Sequence, residues 1–378
     1  MAADDLTRPL GLRLPRAPNR KRLYGIVAGV GMVAVAAGAT AYLLGTAPGP
    51  TETVPIAAPG PAAVAVADRT SSIQTAPGQP APDTPGLTEV TTSGGVNTPD
   101  RVVIYDPSNP APITLAALPD DALVETGSYG PLPKIAADGR RPLEVYSRPY
   151  DGRGDARIAL VVGGLGVDRD TTERAIRNLP GTVTLAFAPY GDNMAAWLEM
   201  ARANGHEILL QVPLDPYSYP SVDPGPHTLT TDATADQNVD HLHWLLSRMT
   251  TYVGVINYMG ARFTSETAAL APVLEEIGSR GLVYVDDGSS PRSQTAAMAI
   301  GRAPFLQADA VLDADLSAAA IDSRLADLQT IARERGHAVA TATAFPVTIE
   351  RIAAFAKVAA DRGITLVPVS ALAGSVGR

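Results

Sequence analysis

"RIALVVGGLGVD", Arg157 to Asp168, is a short apolar run that empties into Gly163, Gly164 and Gly166. Chains use such strand-to-glycine turns to bring backbone close to a ligand. Two readings compete: a phosphate-cradling loop, or the mouth of a barrel. The dinucleotide fingerprint needs a third glycine and an acidic residue about 20 positions on. Here Arg169 stands at the third position, and Thr182–Pro189 contains no acid. The phosphate reading is not met.

Working outward, short apolar runs alternate with helical segments. Strands are expected at Ile158–Val162, Val183–Phe187, Ile208–Val212, Val253–Asn257, Leu282–Val285, Ala308–Leu312, Ala338–Thr341 and Thr365–Val369. Helices are expected between them, among them Arg169–Leu179, Ala235–Met249, Ala318–Arg335 and Ile349–Arg362. Strands alternating with helices predict βα units and a parallel sheet. Seven or eight units fit an α/β fold of the (β/α) barrel type, whose binding groups gather at the C-terminal ends of the strands.

Upstream the composition changes. Eighteen of the 33 prolines lie between Thr46 and Tyr150. Residues 45–128 read as a disordered Pro/Ala/Thr-rich linker, because so little apolar surface cannot offset the entropy of ordering. Leu23–Leu44 is 22 residues without a charge. As a helix rising about 1.5 Å per residue it would cross a hydrocarbon core of roughly 30 Å. Residues 1–22 carry six basic and two acidic side chains, with Arg16, Arg20, Lys21 and Arg22 just before the apolar run. That charge places the tail in the cytoplasm and predicts a single-pass inner-membrane protein whose C-terminal domain, 129–378, is periplasmic. A cleaved signal would have a shorter apolar core of about 7–15 residues.

A net charge of −9 excludes a nucleic-acid-binding class. The absence of cysteine excludes disulfides and thiolate metal sites.

The strand ends read as a set: "TLAFAPY", "GHEILLQVPLDP", "NYMGARFT", "GLVYVDDGSS" and "LVPVSAL". In this order the chain from about Gly130 to Leu372 resembles the divergent polysaccharide deacetylase family, relatives of the NodB-type carbohydrate esterases. The resemblance implies a deacetylase-like barrel, a role in carbohydrate metabolism and a divalent metal held by Asp and His. It also implies an Asp pair at the first strand end, where Gly163 and Gly164 stand. A histidine is implied at Gln211 ("QVPL") and at Tyr258 ("NYMGA"), and two more where Thr343 and Phe345 stand in "ATAFP" (Ala342–Pro346). Glycine offers no ligand, and glutamine and tyrosine replace imidazole poorly on zinc. The expectation is therefore a pseudoenzyme: no metal, no cofactor, and a glycan bound without turnover.

Two alternatives stand beside it. Asp286 and Asp287 could rebuild a hydrolytic site, with a hard cation only in that case; the plainer reading is that they cap and form a turn. An envelope scaffold that recruits other, unidentified proteins is the third. For glycan contact the sequence offers Gln211, Asp215, Tyr217, Tyr219, Asn257, Tyr258 and Arg262, with Tyr190 and Trp197 as further aromatics. Flat aromatic faces with polar neighbours suit sugar rings. Of the histidines, His206 and His337 fall on the opposite face. His241 and His243, two apart on a helix, cannot chelate together. His227 lies on a top-face loop, where it is expected to be exposed, with ligand contact the lesser alternative. Ser289 and Ser290 have no partnered histidine, so no triad is expected.

Overall fold

The computed structural model describes residues 113–373. The basic tail, the apolar run 23–44 and the linker up to 112 lie outside them. Among the described residues no helix is long and apolar enough to cross a membrane.

The core is a parallel sheet of nine strands. It is built from Arg157–Leu165 (β3), Thr184–Phe187 (β4), Ile208–Leu214 (β5), Gly254–Met259 (β6), Val283–Asp286 (β7), Phe305–Gln307 (β8), Ala310–Val311 (β9), His337–Thr343 (β10) and Thr365–Val367 (β11). A short antiparallel hairpin, Val124–Gly127 (β1) with Gly130–Pro133 (β2), precedes it. The order is β8-β7-β6-β5-β4-β3-β10-β9, with β11 paired to β3. Strand β3 is central: β10 lines one side, while β4 takes its upper half and β11 its lower half on the other.

Of the expected strand Ala308–Leu312 only Ala310–Val311 is strand, and a second short strand, Phe305–Gln307, lies just before it, because this part of the chain serves both edges of the sheet. Phe305–Gln307 pairs with β7 and Ala310–Val311 pairs with β10. The change of partner falls between Ala308, whose N–H donates to the Asp286 carbonyl at 2.9 Å, and Asp309, whose N–H donates to the Val339 carbonyl at 2.7 Å. One segment thus bridges the two edges, and the sheet curls into a barrel-like body.

Both faces of the sheet are buried, which is why its strands read as continuous apolar runs. Ala159, Val161, Leu209, Val283, Val285 and Val339 fill the inside. Leu160, Val162, Leu185, Leu210 and Tyr284 face the helical shell, where they meet Ile176, Leu274, Leu325 and Ile352. Burying a side chain of this size contributes about 1.5–3 kcal/mol. Helix Arg169–Asn178 starts where Asp168 caps it, accepting from the Thr171 N–H at 2.8 Å. Helix Ala235–Leu246 starts on a capping box of Thr234 and Gln237.

Ordered packing begins before the expected boundary at 129. Leu115 and Leu123 are buried, and the Arg202 guanidinium donates to the Ala116 and Tyr146 carbonyls. The hairpin is held by Arg280, which donates to Glu125 and to the Pro133 carbonyl. This arm closes the N-terminal face of the strands. There Glu207, fully buried, accepts from the N–H groups of Arg148 and Ser370 and from the Ser370 hydroxyl. Burial pushes its carboxyl up to about 6, and pulls the Arg202 guanidinium down to about 10.

Candidate functional site

The opposite face carries a cleft of about 260 Å³. Its floor is Gly164, Gln211 and Thr343; its walls are Tyr190, Tyr258 and a set of prolines, with Pro224 supplied by the long loop after β5. The sequence offered Gln211, Tyr258 and Tyr190 for this place. The prolines, Val167 and Ala188 were not among its candidates, though each follows directly on a strand end or lies in that loop.

The floor is organised by Gln211. Its Oε1 accepts the Gly164 N–H at 2.9 Å. A Cβ on Gly163 would lie 2.7 Å from Gln211 Nε2 and 3.3 Å from its Cδ. The amide therefore occupies the space that a side chain at 163 would need. Gly163 has no positive φ, so the backbone there does not require glycine; Gly164, at φ +79°, is in the left-handed region that favours it. The two glycines are thus present for different reasons: room for an amide at 163, backbone curvature at 164.

The neighbouring strand ends fit the same floor. Tyr258 is 41% exposed and is followed by the left-handed pair Met259 and Gly260, which turns the chain away from the mouth. Asn257 is buried and ties strand ends together. Its Oδ1 accepts the Asp287 N–H and its Nδ2 donates to the Met259 carbonyl, both at 2.8 Å. Thr343 donates its N–H to Asp313 Oδ2 at 2.7 Å, which leaves its side chain on the cleft floor. Phe345 is 40% exposed beside it.

Asp286 and Asp287 do not converge. Asp286 is buried on the shell side, where it accepts from the Gly288 N–H at 2.9 Å and the Ser293 hydroxyl at 2.5 Å. Asp287 is the residue just after β7 and is partly buried. It accepts the Ser289 N–H at 2.8 Å, and burial raises its carboxyl above the usual range. Each carboxylate is thus engaged by its own groups in the turn that follows β7.

Asp215 is fully buried and holds the long loop in place rather than reaching the cleft. Its Oδ2 accepts from Thr231 and lies 3.4 Å from Arg262, while Oδ1 has no hydrogen-bond partner among the described residues; burial raises its pKa. Arg262 is engaged by Asp232 at 2.8 Å. Tyr217 is exposed at the rim, bonded to Ser265 and 5.9 Å from the Arg292 guanidinium, whereas Tyr219 is half-buried within the loop. Trp197 belongs to the helical shell. His227 is not a free ligand contact: its ring stacks on Trp244 with centroids 3.9 Å apart and meets His241 edge-on at 5.2 Å. Burial lowers its pKa, with the nearby His241 adding to the effect. His243 instead contacts Glu276 at 2.6 Å, so the two helix histidines do face different ways. His206 is buried between the Val183 and Ile176 carbonyls.

A divalent metal at this mouth would need several imidazole or carboxylate donors. The positions that would supply them carry a glycine whose space is filled, a glutamine already bonded to backbone, a tyrosine, a threonine and a phenylalanine. Among the described residues no cluster of three or more His, Cys, Asp or Glu could hold a metal ion. The residues present do not fit the group.

Comparison with known proteins supports the fold. A crystal structure of an uncharacterized protein from Agrobacterium tumefaciens C58 is 46% identical, covers 64% of this chain and 99% of that one, and superposes with a TM-score of 0.63. The uncharacterized protein YibQ of Escherichia coli strain K12 is 23% identical over 194 residues, which is 51% of this chain and 60% of YibQ. The chain thus matches less than two thirds of that curated relative's length. The divergent polysaccharide deacetylase model matches residues 160–373, and with more than half of its length matched the chain belongs to that family.

Proposed function

We propose that this protein is a membrane-anchored, envelope-facing member of the family that binds a neutral cell-wall or exported glycan at the barrel mouth without metal-dependent turnover. The observation that carries this reading is Gln211: its amide fills the place of a side chain at 163 and is fixed there by the Gly164 N–H. Binding chemistry remains. The cleft pairs aromatic faces from Tyr190 and Tyr258 with the polar groups of Gln211 and Thr343. Its lining contains no charged side chain, which favours uncharged sugars over phosphorylated or acidic ones. At about 260 Å³ it lies below the ~300–1,000 Å³ of drug-sized ligand sites, so it suits one ring of a longer chain. The apolar run 23–44 supplies the anchor and the Pro/Ala/Thr-rich segment after it the tether.

The test is titration of the full chain with neutral N-acetylated oligosaccharides, alongside acetate release with and without added zinc. Saturable binding that is lost in Tyr258→Ala, with no acetate in either case, is the expected result. Metal-dependent acetate release would refute the reading, as would failure of every glycan to bind. A second reading rests on Asp287, a partly buried carboxyl at the C-terminal end of β7 that burial holds high. It makes Asp287 the general base of a metal-free esterase, and acetate release without metal that disappears in Asp287→Asn would favour it.

A further inference from the structure

Four consecutive residues of the loop after β5 build one wall of the cleft and clasp Tyr190. Pro224 is buried and lines the cleft. Gly225, at φ +130°, abuts the tyrosine: a Cβ there would lie 2.8 Å from its ring and 2.9 Å from its hydroxyl. The Pro226 carbonyl accepts from the Tyr190 hydroxyl at 2.6 Å. His227 ends the run at φ 58°, in the left-handed region that is uncommon for a residue with a side chain. Just beyond it the chain is anchored again, because the Leu229 N–H donates to the Pro213 carbonyl at 3.0 Å.

Among the described residues the His227 imidazole makes no hydrogen bond; ring contacts hold it. It lies flat on Trp244, with centroids 3.9 Å apart and planes 15° from parallel. Trp244 in turn sits 6.4 Å from Tyr190, so the stack ties the loop and the cleft tyrosine to helix Ala235–Leu246. The Arg248 guanidinium is 4.9 Å from the Trp244 centroid, and His241 meets His227 edge-on at 5.2 Å. Two carboxylates oppose them, and both are engaged. Asp240 accepts from the Tyr129 hydroxyl at 2.8 Å, and Asp223, within the loop, accepts the Gly225 N–H at 2.9 Å. A neutral imidazole suits this setting. A charged one would lose hydration and stand as a second cation near Arg248.

We propose that His227 positions this wall of the cleft through its stack on Trp244, and that protonating the imidazole unseats the wall. This holds whatever binds at the mouth. Burial first, then His241, keep His227 below its ordinary pKa in the seated loop, with Asp240 opposing. An unseated ring recovers the ordinary value of about 6.5 and takes up the proton that the seated ring refuses. The stack's contribution is therefore complete above about pH 6.5 and is lost as pH falls below it. Tyr190 and Pro224 line the cleft together, so acid loosens the mouth on that side.

Hydrogen exchange on the full chain, corrected for the intrinsic pH dependence of amide exchange, reads loop opening at Gly225 and Thr228. Opening is expected to rise at least about threefold between pH 7.5 and pH 5, while Leu229 stays protected. His227→Phe keeps a stacking ring without a titrating group and should stay closed at both pH values. His227→Ala loses the ring and should open at both. Equal opening of the unsubstituted chain at the two pH values overturns the proposal. So does a pH response that survives in His227→Phe, which would assign it to His241, Asp240 or Asp223. Unchanged protection in His227→Ala overturns the positioning role. A check without substitution uses the Trp244 indole N–H, one of two in the chain. Its NMR signal should move with the same midpoint as loop opening, and a signal constant from pH 7.5 to pH 5 refutes the titration of the stack.

Discussion

Placing an aspartate back at position 163 tests whether the mouth has been remodelled as a unit. In Gly163→Asp the new Cβ meets Gln211 Nε2 at 2.7 Å, so the amide must leave. That forfeits the bond to the Gly164 N–H, worth about 0.5–1.5 kcal/mol. It also forces a strained glutamine rotamer at a cost of ~0.5–1.5 kcal/mol. The carboxylate itself enters a buried position without a cation, which adds ~1–3 kcal/mol. The single variant is therefore expected to lose about 3 kcal/mol, or roughly 6–12 °C in Tm at 2–4 °C per kcal/mol for a domain of this size. Gln211→Ala alone loses only the bond and some packing, about 1 kcal/mol. In the double variant the collision and the strained rotamer vanish. Its loss should fall short of the sum of the singles by about 1–2 kcal/mol, measured by urea unfolding with far-UV circular dichroism to verify the fold. Losses that add to within about 0.5 kcal/mol would show that Gln211 does not occupy the aspartate's space, and would remove the basis of the proposed function.

Three other expectations follow from the geometry. Tm should move by less than about 1 °C on adding EDTA or zinc, because a resident ion held at a hundred times its dissociation constant would contribute about 2.7 kcal/mol; a larger zinc-dependent rise means that ligands lie elsewhere. Tyr258→Ala, exposed and outside the packed core, should weaken oligosaccharide binding about tenfold or more with little change in Tm, whereas equal losses in both would make it a structural residue. Glu207 predicts an unusual pH dependence. Its carboxyl is raised in the folded state from 4.5 to about 6, so its contribution is fully present below about pH 4.5 and is lost as pH rises through 6. That is about 2 kcal/mol, and Asp215, Asp287 and Asp313 are shifted in the same direction. Unfolding free energies between pH 4.5 and 7 should show this decline, and it should shrink in Glu207→Gln; an undiminished slope would assign it to the other carboxyls.

Most of the strands and their parallel βα character were legible because apolar runs of strand length alternate with helical ones, and the motifs at their ends carried the family. Side-chain direction was not. In "VYVDD", Val283, Tyr284 and Val285 are all buried, so neither face of the strand is marked by polarity and the parity of Asp286 and Asp287 cannot be read. The Gly163–Gln211 relation depends on two strands whose residues lie 48 positions apart in the chain, and no local pattern encodes it. The return of the long loop over the mouth was hidden for a similar reason. It is held by Asp215, Thr231 and Arg262, and by Tyr190 donating to the Pro226 carbonyl at 2.6 Å. From sequence Asp215, Arg262 and Tyr190 looked available for a ligand; in the fold, each also makes loop contacts. That β8 precedes the expected strand Ala308–Leu312, and that only Ala310–Val311 of it is strand, required knowing which strands end up at the two edges.

The bridging segment 305–311 makes the domain a ribbon closed by a clasp. Each half of the clasp is only two or three residues long, and neither can form until β7 and β10 are already in position. These short pairings make closure of the body depend on contacts far apart in the chain. Asp313, two residues after the clasp, accepts the Thr343 N–H, and the Asp286 carbonyl accepts from Ala308. Unfastening the clasp would slacken one side of the mouth while Gln211 and Tyr258, on β5 and β6, keep their places, so the cleft would widen from one side only.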